Sequence, residues 1–261
     1  MPKKPVGNKT TALSKYDEQF AKMAAQSKAA VSNVGAGGNF LSLKGGFMTY
    51  QGGQVPENRL RCVIIDAIAE NQFYTGKYDP DNPGGPACFA FGRKYETGEL
   101  IMPKLMAPDK AYVVKPIHDT CSGCPNNEWG SADVGKGKAC KEVQRLALIV
   151  EGDLEKDIEG AEEAYLKVPV TSMKAWAGYV RMLTDTMHKA PAQVVTEITQ
   201  AKDADPRAQP GWHLEFKFVA DVDTDALGAI LAKYDIITKK IAFPYTAAED
   251  SVPKKKSAGR R

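Results

Sequence analysis

At 261 residues with 43% hydrophobic content, the chain is long enough for one large domain with a real core. No apolar run reaches the length a membrane helix requires, and the start MPKKPVGNKTTALSK lacks the apolar stretch of a secretory signal, so the expectation is a soluble, cytoplasmic protein with no membrane partner. The net charge of +3 is unevenly spread: four lysines and no acid lie in the first fifteen residues, and five basic residues and no acid in the closing KKKSAGRR, which leaves −6 for residues 16–253. EGDLEKDIEGAEE, residues 151–163, carries all of that −6, so a neutral body is flanked by basic arms that suit a polyanion partner or simply keep the protein solvated.

Leu13, Tyr16, Phe20 and Met23 recur at helical spacing and predict an amphipathic helix, after which SNVGAGGN forms a joint; residues 1–38 read as a basic N-terminal arm. FLSLK and FMTYQ flank Gly45-Gly46, a two-residue hairpin turn. Residues 60–76, LRCVIIDAIAENQFYTG, are β-branched at their start and predict one long, bent strand in which Cys62 is a buried core residue. DPDNPGGP is a turn-rich loop, ACFAFGR a short strand, and RLALIV a strand that follows a cysteine-rich loop. AYLKVPV predicts a strand. TSMKAWAGYVRMLTDTM predicts a helix with Thr171 as N-cap and Trp176, Val180 and Leu183 on one face. AQVVTEITQAK and WHLEFKFVA alternate as the strands of a second hairpin, and TDALGAILAKYDIIT closes with a short helix. There are no internal repeats, and residues 246–261 read as a basic disordered tail.

Hairpins without strand–helix alternation argue against a doubly wound nucleotide fold. The pattern fits an α+β protein, mainly antiparallel β, built as a small bent barrel of OB-fold type over residues 39–245 with helical additions and an embedded zinc knuckle.

The chemistry concentrates in CSGCPNNEWGSADVGKGKAC, residues 121–140. Zinc takes four soft ligands in a tetrahedron, and Cys121 and Cys124 have the C-x2-C spacing that supplies two from one turn. Cys140 stands at zinc-ribbon distance. The fourth ligand is Cys88 or His118, the metal loop spans residues 118–144, and an iron–sulfur cluster is the alternative occupant. The apparent phosphate loop beginning at Gly130 fails, because Gly137 stands where a Walker motif needs Ser or Thr. His118, His188 and His213 are scattered without a metalloprotease spacing, so the chain reads as no enzyme.

Lys136, Lys138, Lys141 and Arg145 beside Trp129 could neutralise phosphates and stack a base. Phe73, Tyr74, Lys77 and Tyr78 form a second aromatic–basic cluster, to which Arg93 and Lys94 add charge. A solvated charged loop and core aromatics are the competing readings of the same residues.

YTGKYDPDNPGGPACFAFG, CSGCPNNEWGSADVGKGKACKEVQRLAL and VPVTSMKAWAGYV resemble a group of bacteriophage-encoded single-stranded DNA-binding proteins, over roughly residues 40–220. The resemblance implies an OB-like core with Cys88, Cys121, Cys124 and Cys140 as metal ligands. It also implies a role in phage DNA replication or recombination, in the host cytoplasm, beside replication proteins. The basic end KKKSAGRR departs from the acidic tail of many such proteins. The alternative function is a zinc-stabilised protein-interaction module accessory to a polymerase or transcription complex.

Overall fold

The computed structural model describes residues 39–75, 86–92, 116–154, 158, 160–202 and 211–242. The chain divides into two units, Met1–Gly38 and Asn39–Arg261, and every described residue belongs to the second. The predicted N-terminal helix and C-terminal tail lie outside the described residues.

A small antiparallel sheet opens the fold: β1 (Ser42–Lys44), β2 (Phe47–Tyr50) and β3 (Gly53–Gln54) follow in order. The β1–β2 turn places Gly45 at φ +62° and Gly46 at φ +84°, the double left-handed conformation that two-residue hairpins need. Asn58 braces this turn, its Nδ2 donating to Gly46 O at 2.8 Å and its Oδ1 accepting from Met48 N at 3.0 Å. A Cβ on Gly46 would fall 2.1 Å from the Trp212 ring. Gly46→Ala is therefore expected to destabilise the fold by at least about 1–2 kcal/mol from left-handed strain alone, and to perturb Trp212 fluorescence; urea unfolding followed by that fluorescence measures both.

The main sheet is built on β4 (Arg59–Phe73), with β5 (Cys88–Gly92), β6 (Lys141–Val150), β7 (Ala164–Val168), β8 (Val194–Lys202) and β9 (Trp212–Asp221). Its order is β7-β6-β4-β8-β9, with β5 also on β4, and every pairing in it is antiparallel. β6 runs along one edge of β4 from Cys62 to Gln72. The other edge is shared end to end, β8 taking Arg59–Val63 and β5 taking Ala69–Phe73. The predicted bend is a β-bulge between Ile64 and Asp66.

The apolar run of β4 is long because both its faces are covered. Leu60, Cys62 and Ile64 point into one core with Leu146, Leu148, Trp176, Tyr179 and Leu183. Val63, Ile65 and Ile68 point into another with Phe89, Phe91, Ile230, Ile237 and Ile241. The first core is roofed by α2 (Met173–Arg181), which runs into a π turn at Met182–Thr186, and the second by α3 (Leu227–Lys240). A short α1 (Glu151–Leu154) follows β6. Among the described residues no helix is long and apolar enough to cross a membrane.

Two expectations are corrected. The sheet does not close into a barrel among the described residues: it ends at β7 and β9, and the outer side of β7 receives only an isolated bridge from Phe40 to Tyr165. A layer of helix on each face buries both sides of the sheet without closure, so the antiparallel α+β class stands, while the described strands form an open sheet. Thr171 does not cap α2; Ser172 holds the cap position, and its Oγ instead accepts from Leu214 N of β9 at 2.8 Å.

Candidate metal centre and the loop it anchors

Cys88 begins β5 opposite Phe73, at the end of β4. Cys140 is the residue before β6, buried, and its N–H donates to Asn126 O at 2.7 Å. Between them Cys121 and Cys124 enclose a turn with Gly123 at φ +75°, followed by the single 3-10 turn Pro125–Asn127. Asn127 locks this knuckle: its N–H donates to Cys124 O at 2.8 Å and its Nδ2 to Cys121 O at 2.9 Å.

All four cysteines line one cavity of about 20 Å³. That is space for about one water-sized sphere, the scale of a single ion. Burial, and then the neighbouring Cys121, Cys88 and Cys124, push the Cys140 thiol up to about 12, against a smaller pull from a hydrogen bond to the Gln72 backbone. The three other thiols line the same cavity as Cys140, and a cation among four thiolates would offset their mutual repulsion. Among the described residues no group of three or more His, Cys, Asp or Glu side chains is already arranged to hold a metal ion. The cysteines share the cavity without presenting a finished coordination shell. The donor set suits zinc or an iron–sulfur cluster, both of which take thiolates. His118 also lines the cavity, but its Nδ1 is engaged by the backbone of Thr120, 2.9 Å from the carbonyl and 3.3 Å from the N–H. Cys62 lies apart, fully buried in the α2-side core, where desolvation holds its thiol well above the ordinary range.

The knuckle carries an outer loop closed by its own hydrogen bonds. Gly130 N and Ala132 N both donate to Gly137 O, at 3.0 and 3.1 Å, and Ser131 Oγ accepts from Ala139 N at 2.9 Å. The G-x-x-x-x-G-K stretch therefore folds back on itself between a 3-10 turn and a strand, the wrong surroundings for a nucleotide phosphate loop.

Trp129 stands 79% exposed on this loop, with Lys138 Nζ 5.8 Å from its ring centre. Lys138 Nζ also donates to Asn127 Oδ1 at 3.3 Å, and Lys141 Nζ to Lys138 O at 2.6 Å. Lys136, two residues before Lys138, is exposed. Val134, 88% exposed, is an apolar member of the same loop that its sequence context does not single out. Phe73 forms part of the cavity wall, while Tyr74 is exposed and donates from its hydroxyl to Gln72 Oε1 at 3.1 Å. Lys77, Tyr78, Arg93 and Lys94 lie outside the described residues.

Arg145 does not belong to this surface. It is 1% exposed, its Nε donates to Glu70 Oε2 at 2.8 Å and its Nη1 to Ile241 O at 3.1 Å, and it packs over Phe91 and Phe40. The reason is depth along the strand: Lys141 is exposed at the first residue of β6, whereas Arg145, four residues further on the same face and opposite Ile68, lies where α3 covers the sheet. Lys167, which the sequence does not mark, joins the same cluster 3.7 Å from Glu70. Burial pulls its amine down to about 8, Glu70 opposing.

Comparison with protein families, with curated proteins and with solved structures finds no match to this chain.

Proposed function

We propose that this chain is a non-enzymatic single-stranded DNA-binding protein of phage replication or recombination, with Cys88, Cys121, Cys124 and Cys140 as the ligands of a zinc ion. The observation that carries the reading is the exposed Trp129 with Lys136 and Lys138 on a loop hydrogen-bonded to the cysteine knuckle, and Lys141 at the start of β6 reaching back to that loop. Lysines on an ordered loop neutralise phosphates at a smaller entropic cost than lysines on a tail, and an exposed indole offers a face to any base. Zinc, when bound, would cross-link the knuckle to β5 and to the start of β6. Four thiolates would also close its coordination shell, leaving no open position for catalysis.

Fluorescence anisotropy with a labelled thirty-base oligonucleotide, single-stranded and then annealed, tests the reading. Preference for the single strand and a steep fall in affinity with salt are expected. Trp129→Ala should weaken binding by about 1–3 kcal/mol with little change in the salt slope, the loss of one stacked base. Replacing Lys136, Lys138 and Lys141 by Ser should flatten the slope. Absent or salt-insensitive binding, or equal affinity for duplex, would overturn the proposal.

A further inference from the structure

One buried polar group beside the cysteines leaves its acceptor atom unpartnered. Asn71, on β4, is 3% exposed, lines the same cavity as Cys88, Cys121, Cys124 and Cys140, and its Oδ1 has no hydrogen-bond partner. Its place is fixed by the ladder: Asn71 faces Ala90 of β5 and Glu142 of β6, two residues from the Phe73–Cys88 pair. Strand alternation puts it on the cysteine side of the sheet, opposite in direction to Glu70. Leucine or valine would fill an apolar wall there without stranding a polar atom.

A carboxamide carries two N–H donors and an acceptor, and a half-turn of its terminal group exchanges them within the same volume. Thiolates gathered round a divalent ion bear more negative charge than the ion carries, so they accept N–H donors from outside the coordination shell. Neighbouring Gln72 already directs a backbone hydrogen bond to Cys140. Asn71 is a buried side-chain donor within the cavity wall that can do the same once the ion is present.

We propose that Asn71 is a positioning residue of the cysteine site: with a divalent metal ion held by the four cysteines, its carboxamide donates a hydrogen bond to a thiolate sulfur and raises the affinity of the site. This rests on the reading of the four cysteines as metal ligands. Outer-shell partners of this kind change metal affinity by roughly 10–100-fold when removed.

The test uses the full chain, reduced and metal-free, titrated with cobalt(II), whose thiolate charge-transfer band reports the sulfur environment. Zinc affinity follows from competition with a chromophoric chelator. Asn71→Leu keeps the bulk and removes the donors, so a 10–100-fold loss of affinity and a shifted charge-transfer band are expected, with the metal-free chain melting no lower than the parent. Asn71→Asp, an acceptor of nearly the same shape that adds negative charge, should weaken binding at least as much at neutral pH, and it decides the matter if the leucine variant does not fold. Parental affinity and an unshifted band in the folded variants would overturn the role of Asn71. A parent chain that takes up no cobalt would overturn the metal reading itself, and this proposal with it.

Discussion

With the four cysteines as the proposed zinc ligands, Cys124→Ser is expected to abolish most zinc uptake and to release the loop around Trp129, whereas Cys62→Ser should leave zinc uptake unchanged. The contrast follows from where each thiol sits. Across residues 116–140 the only buried residue is Cys140, so this long loop has no core of its own. A structural zinc site contributes folding free energy outright, on the order of 10 kcal/mol or more in isolated fingers at neutral pH, and losing one thiolate of four forfeits a large part of it. The hydrogen bonds from Asn127 to Cys121 and Cys124 then have nothing to hold against, and Lys138 loses its anchor on Asn127. Single-strand affinity should fall with the metal. At position 62 the substitution buries a hydroxyl in the α2-side core and costs about 1–3 kcal/mol of global stability, with metal and loop intact. Metal analysis after gel filtration, paired with limited proteolysis of the loop, reads both outcomes. Equal zinc loss in the two variants would show the ligand assignment to be wrong.

The strands were legible because local pattern decides them. Gly45-Gly46 between two apolar runs has one common use, and the alternation in residues 194–202 and 212–221 produced β8 and β9 nearly to the residue. What local pattern does not contain is the partner of an edge. A half-buried strand reads alike in a closed barrel and in an open sheet with a helix on each side, and the sharing of one β4 edge by β5 and β8 is a matter of long-range register. The three cysteines of the loop announced themselves by spacing, and Cys88 depended on which strand end β4 would bring to them. Arg145 was misplaced because a run of basic residues suggests one surface, while four residues along β6 lead from an exposed strand end to a position that α3 covers. The signal was present, since a charge inside RLALIV and another inside AIAENQF are best buried as a pair. Asn71 left no mark, because an amide near a strand end is ordinary until its surroundings are known.

That buried pair gives the second large effect. Arg145→Met should destabilise the chain by about 3–5 kcal/mol, because it leaves Glu70, 0% exposed, without its main counter-charge and strips the Ile241 carbonyl of its donor at the end of α3. Lys167, 3.7 Å from Glu70, can compensate only in part, and losing the repulsion of Arg145 should raise its amine above about 8. The sign of the pH effect follows. In the parent, the folded chain binds fewer protons at Lys167 than the unfolded chain between about pH 8 and the ordinary 10.5, so this group adds stability as pH rises through that window. In Arg145→Met the window narrows from below and the gain shrinks. Adding Glu70→Leu removes the stranded carboxylate and should recover much of the loss, since apolar replacement of a buried pair is often neutral or better. Urea unfolding of the parent, the single and the double variant at two pH values separates these contributions. Binding supplies the decisive contrast with the loop lysines: per folded molecule, Arg145→Met should keep the parent's oligonucleotide affinity and salt slope, because a guanidinium enclosed by Glu70, Phe91 and Phe40 meets no phosphate. A reduced slope in that variant would place Arg145 on the DNA surface and contradict its burial.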